Sequence, residues 1–131
     1  MRSEQVLFFT QKEEEFVDLL IGIGIRRNLA KVLVYLSSTN EATSRDIERG
    51  TDLRQPEVSI AMSRLHTAGW IDSRESKAES KGRPVKIYRL GHPINVIIDQ
   101  IEADKRSEAE QERQTMQQLR DLLSQRELTV Q

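Results

Sequence analysis

Apolar residues recur along this chain at spacings of three and four, and glycine or proline interrupts them. Phe16, Leu19, Leu20 and Ile23 stand at i, i+3, i+4 and i+7, one stripe of a helix. Thr10 is placed to cap its start, with Glu13 three residues on as the reciprocal partner. Gly22 and Gly24 mark its end, so the first helix is predicted over 10–24. Leu29, Val32, Leu33 and Leu36 repeat the spacing and predict a second helix over about residues 26–37. The stretch SSTNEA reads as a loop. Thr43 and Asp46 form a capping-box-like start to a short third helix, near 43–49, with Ile47 inside and Gly50 as its C′ glycine.

A fourth helix follows after a link of only a few residues. Pro56 suits its first position, where a missing N–H has no intrahelical partner to lose. Val58, Ala61, Met62, Leu65 and Ala68 share one face, and Gly69 stops the helix, so it spans about 56–68. Two strands come next, Trp70 to Arg74 and Val85 to Leu90. The polar, basic loop ESKAESKGRP joins them as a hairpin. Val85/Ile87 and Tyr88/Leu90 compete for the buried face of the second strand. From Pro93 to about Arg126 no glycine or further proline breaks a helix. Ile94, Ile97, Ile98 and Ile101 form its apolar head, and Leu119, Leu122 and Leu123 its apolar end. The waist between them, DKRSEAEQERQ, lacks the a and d residues of a continuous coiled-coil seam. The helix is therefore either long with a polar waist or bent there.

A chain of 131 residues suits one domain. It has no cysteine, so disulfides, thiolate metal sites and cysteine nucleophiles are excluded. Its two histidines, His66 and His92, make no metal site alone. No apolar run reaches bilayer length, and the short VLFF near the N-terminus is no signal peptide; a cytoplasmic location is expected. Net charge is −1, but it is unevenly spread. Residues 43–90 carry ten Lys/Arg against seven Asp/Glu, whereas residues 91–131 carry five against eight. The middle is basic and the tail acidic, a mild asymmetry compatible with a nucleic-acid-binding centre. The acidic runs Glu13-Glu14-Glu15 and Glu108/Glu110/Glu112 have no histidine or nucleophile in register and read as solvated faces. Gly22-Ile-Gly24 is too short for a dinucleotide loop. No catalytic cluster is visible, so no enzyme and no cofactor are expected.

Helix, tight turn, helix and basic hairpin together describe a helix-turn-helix with a wing. The stretches AKVLVYL, LRQPEVSIAMSRLHTAGWI and GRPVKIYRL, within Ile25 to Leu90, resemble the winged-helix transcription regulators of the MarR and TrmB type. The resemblance covers about half the chain. It implies a mainly α fold with a small antiparallel β-hairpin. It also implies a recognition helix that reads bases, a wing tip on the backbone or minor groove, and terminal helices that form a homodimer. The expected division is a winged helix-turn-helix domain over 1–91 and a dimerising helix over 92–131.

Carried over by position, Gln55, Pro56, Glu57, Ser59, Ile60 and Ser63 would face the groove, with Arg54 and Arg64 beside them. Lys77, Lys81 and Arg83, joined by Lys86, would bring the wing, about 75–84, to phosphate. Ser59 keeps the serine common in the family. Glu57 and Ile60 depart from it, although Glu accepts from cytosine N4 and Ile contacts a thymine methyl. Trp70 is expected in the core. Ile94, Ile97, Ile98, Ile101, Leu119, Leu122 and Leu123 are the expected dimer residues. The expected partners are double-stranded DNA and a second copy of the chain, with no membrane. The alternative is a winged-helix protein–protein module, which the near-zero net charge, Glu57 and the acidic tail would suit.

Overall fold

The structure, a computed structural model, describes residues 9–76 and 84–126. Its elements run α1 (Gln11–Gly22), α2 (Arg27–Ser37), β1 (Ala42–Thr43), α3 (Ser44–Thr51), α4 (Gln55–Thr67), β2 (Ile71–Ser76), β3 (Val85–Leu90) and α5 (Ile94–Arg126). The chain divides into two compact units at Ile94/Asn95. The first holds every element through β3, and the second is the body of α5.

In the first unit α2 is the centre, packing against α1, α3 and α4. Ala30, Val32, Leu33, Val34 and Leu36 are all buried, so neighbours close most of its circumference. That explains Val34, which lies off the predicted stripe. The α1 stripe is rotated from its expected line. Val17 and Leu20 are buried and Phe16 is half-buried, whereas Leu19 is 66% exposed and Ile23 47%. Both alignments satisfy helical spacing, and packing against α2 selects the Phe16–Val17–Leu20 side.

The capping signals are realised atom by atom. Thr10 Oγ1 accepts from the Glu13 N–H (3.1 Å), and Glu13 Oε1 accepts from the Thr10 N–H (3.0 Å). Thr43 and Asp46 repeat the exchange at α3, at 3.2 and 3.0 Å. The end of α3 differs from expectation. Gly50 lies inside the helix, and the left-handed residue is Asp52 (φ 61°). Gly50 is there for space, because a Cβ would be driven into the ring of Tyr35 on α2, against Cε1, Cδ1 and Cζ. The Thr51 hydroxyl, fully buried, donates to the Ile47 carbonyl at 2.6 Å and ties down the last turn.

Asp52, Leu53 and Arg54 alone link α3 to α4, and Leu53 is buried as the anchor of that turn. α4 starts at Gln55, which makes Pro56 its second residue rather than its first. Val58, Ala61, Met62 and Leu65 form its buried face. Ala68 is exposed, because the helix has already ended at Thr67. The Gly69 N–H donates to the His66 carbonyl (2.9 Å) and the Trp70 N–H to the Leu65 carbonyl (3.0 Å), with Gly69 at φ 80°. That pair of bonds is a Schellman stop, and its left-handed position favours glycine.

The sheet has the order β1-β3-β2, antiparallel throughout. β2 and β3 pair from Ile71↔Leu90 to Ser76↔Val85. β1, unseen in the sequence, adds Ala42↔Tyr88 and Thr43↔Ile87. Two residues are too few to show alternation. Neither face of β3 is fully closed: Ile87, Tyr88 and Leu90 are half-buried and Val85 is 46% exposed. Ile71 is the buried residue of β2, and Trp70 just before it is half-buried.

α5 is one continuous helix of 33 residues, so the polar waist does not break it. At 1.5 Å per residue it is about 50 Å long. Intrahelical pairs hold the waist: Arg106–Glu102 at 2.8 Å, Lys105–Glu108 at 3.5 Å and Arg113–Glu110 at 2.7 Å. Every residue from Glu102 to Gln125 is exposed, including Met116, Leu119, Leu122 and Leu123. In the apolar head Ile97 and Ile101 are buried, and Ile94 and Ile98 half-buried.

Candidate nucleic-acid interface

α4 presents one buried face and one free face. At about 100° per residue its turns set Val58, Ala61, Met62 and Leu65 inward. Pro56, Ile60, Ser63 and Thr67 then form the crest of the opposite side, all exposed. Gln55, Ser59 and His66 fall on one flank of that crest, Glu57 and Arg64 on the other.

Each flank borders a cleft. The cleft on the Gln55 side is about 440 Å³ and reaches the sheet and the start of α3. Ser59, Ser63 and His66 face Ser44, Ser73, Lys86 and Tyr88 across it. It is rich in hydroxyls with one lysine, a lining suited to an oxygen-rich anion held by several hydrogen bonds. The cleft on the other flank is about 270 Å³ and lies between α4 and the start of α2. Arg26, Arg27 and Asn28 meet Glu57, Ile60 and Arg64 there.

The α4 residues expected to face a groove, Gln55, Pro56, Glu57, Ser59, Ile60 and Ser63, are all exposed and adjacent, with Arg54 and Arg64 beside them. Ile60 is 59% exposed, the most open of the large apolar side chains on α4. Glu57 has a structural task as well. Its Oε1 accepts from the Arg54 backbone N–H at 2.8 Å, closing the open start of α4. The helix dipole favours an acid there, and favours Arg64 and His66 in the last turn. Lys77, Lys81 and Arg83 lie outside the described residues. Sequence reasoning passed over Ser44, Thr67, Ser73 and Tyr88, and also Arg26 and Arg27. Helical period alone would have placed Thr67 on the crest, but nothing in local spacing marks the others, because the clefts form only when distant elements meet.

One ion pair braces the sheet side. Arg74 donates to Glu41 from both Nη2 (2.8 Å) and Nε (3.3 Å). That hydrogen bonding holds the Glu41 carboxyl below its ordinary value, and the positive charges of Arg74 and Arg89 add to the effect. Under the α2–α3 contact, burial raises the Tyr35 phenol, and the Asp46 carboxylate raises it further. Among the described residues no group of three or more His, Asp or Glu side chains could hold a metal ion, and no helix is long and apolar enough to cross a membrane.

No protein-family model and no curated protein sequence matches the chain. Solved structures do. TrmBL2, an archaeal chromatin protein whose structure shows a mode of DNA binding, superposes with a TM-score of 0.67 at 16% identity, over 92% of this chain and 44% of that one. The chain thus spans less than half the length of that protein. A possible transcriptional regulator from Methanosarcina mazei superposes at 0.62 and 16% identity, over 80% of this chain and 87% of its own. The chain has the winged-helix fold. A MarR family transcription regulator superposes at 0.51 and 18% identity, over 90% of this chain and 78% of its own. Within that fold α3 and α4 are the helix-turn-helix, and β2 and β3 are the paired strands that follow it.

Proposed function

We propose that this protein binds double-stranded DNA in a sequence-dependent way as a homodimer and regulates transcription. The observation that carries the reading is the free face of α4. A helix directly after a three-residue turn leaves an exposed crest of mixed polar and apolar side chains, flanked by two clefts lined with hydroxyls, a lysine and arginines. A B-DNA major groove about 12 Å wide admits one such helix. Gln55, Ser59, Ile60 and Ser63 are the base-reading set, and Arg54 and Arg64 approach the backbone. Lys77, Lys81 and Arg83 are assigned to the wing's contact with phosphate. The likeness to structures described as transcriptional regulators supports the same reading.

The dimer assignment rests on α5. Met116, Leu119 and Leu123 follow i, i+3, i+7, with Leu122 alongside, and all four are about half exposed. Leu19 and Ile23 on α1 are a second apolar patch left open. A second copy would cover such surface and set two α4 helices against half-sites about 34–36 Å apart.

Selection of bound sequences from random duplexes tests the whole reading. Enrichment of a palindromic site is expected. Absence of duplex binding even at low salt would overturn it in favour of a protein–protein module, the role that an exposed Ile60 would then serve.

A further inference from the structure

A helix seated in the major groove has a sugar–phosphate strand on each side. The groove is about 12 Å wide, and a helix with its side chains measures about 10–12 Å. Both flanks of α4 therefore come close to phosphate if the helix is seated as proposed above. The wing side carries Ser59, Ser63, Ser73 and Lys86. The far side is different in kind. Its 270 Å³ cleft brings Arg26 and Arg27, from the start of α2, against Arg64. Leu29, Ala61 and Ile60 are its apolar lining, and Glu57 is the one acid.

We propose that Arg26, Arg27 and Arg64 form a clamp on the backbone of the DNA strand opposite the wing. The inference rests on the DNA-binding reading and extends it to residues 26 and 27, far from the recognition helix in sequence. Three lines of physics support it. Arg26 and Arg27 are exposed, and none of the three arginines forms an ion pair among the described residues. Guanidinium groups match phosphate oxygens with two parallel donors. Arg26 is also the N-cap of α2 and makes no side-chain cap hydrogen bond, so the positive end of that helix dipole, at the residues lining the cleft, adds to their charge. The carboxylate of Glu57, turned to the Arg54 N–H, is the one opposing charge.

The test is a salt titration of duplex binding by the full chain, read by fluorescence anisotropy on a duplex of unrelated sequence. Removing one phosphate-binding side chain should reduce the slope of log K against log salt by about 0.9. The double variant Arg26→Ala/Arg27→Ala should lower it by nearly two such steps and leave the ranking of preferred sequences unchanged. Arg26→Lys/Arg27→Lys should keep most of the slope, and Lys105→Ala on α5 should keep all of it. Both positions are exposed, so an unchanged circular dichroism spectrum is expected. A double alanine variant that binds with the parental slope overturns the clamp while leaving DNA binding intact. A parent chain that binds no duplex at low salt overturns the DNA-binding reading, and the clamp with it.

Discussion

Gly50→Ala is the sharpest test of how the helix-turn-helix is held. Gly50 has no positive φ, so its backbone accepts alanine. In a helix that exchange normally stabilises by about 0.5–1 kcal/mol. Here the new Cβ would lie 2.5 Å from Cδ1 of Tyr35 and 2.8 Å from Cζ, with Cε1 nearer still. Carbon pairs sit comfortably at about 3.5–4.0 Å, so the ring must withdraw by roughly an ångström or more, or α3 must move away from α2. Overpacking of this kind costs about 1–3 kcal/mol. The clash wins, and the net expectation is a loss of about 1 kcal/mol, and at most about 2.5 kcal/mol. The control is the same exchange in a Tyr35→Ala background. With the ring gone only the helix preference remains, and alanine at 50 should then stabilise by about 0.5–1 kcal/mol. Urea denaturation followed by circular dichroism measures both legs. A Gly50→Ala chain as stable as its parent would contradict this account of the α2–α3 packing, as would an equal loss in both backgrounds.

Glu57→Gln keeps an acceptor for the Arg54 N–H but removes a charge that the helix dipole favours, so stability should fall by no more than about 1 kcal/mol while duplex affinity rises about two- to five-fold, a surface charge effect of roughly 0.5–1 kcal/mol. Anisotropy and urea denaturation on the same sample check the two halves. Ile60→Ala should leave stability within about 0.5 kcal/mol, as for other exposed sites, while shifting the preferred base at one position in a selection experiment. Glu41→Gln tests the sheet-side ion pair. The folded carboxyl lies below its ordinary 4.5, so its stabilisation is present above that value and is lost as pH falls through the folded value. The stability difference between parent and Glu41→Gln should accordingly close on acidification; a difference that persists at the acid end would count against it. Leu119→Glu/Leu123→Glu should shift the protein to monomer in sedimentation velocity with the helical content unchanged.

Much of the architecture was legible because it is written locally. Thr10/Glu13, Thr43/Asp46 and Gly69 act within a few residues, and each starts or stops a helix as the sequence predicts. What escaped depends on distant neighbours. Gly50 read as a helix stop because glycine often is one; only Tyr35, on another helix, shows that it makes room for a ring. β1 is two residues long and exists through its pairing with β3. The α1 stripe could be drawn on either of two adjacent lines, and only packing against α2 chooses. The candidate site divides in the same way. The crest of α4 follows from helical period alone. The arginine cleft does not, because Arg26 and Arg27 reach it from another helix.

Local and distant causes also separate the two unusual residues on α4. Glu57 and Ile60 both looked out of place on a face turned toward DNA. Glu57 is the third residue of α4, where an acid is favoured by the helix dipole and where its carboxylate closes the Arg54 N–H. A residue with that task needs no base to explain it, and a glutamine there would keep the hydrogen bond without the repulsion. Ile60 has no such task. It is 59% exposed on the crest and lines the arginine cleft from its edge. On the proposed reading its exposed side chain is available to a thymine methyl in the groove. The base-reading question narrows from two residues to one.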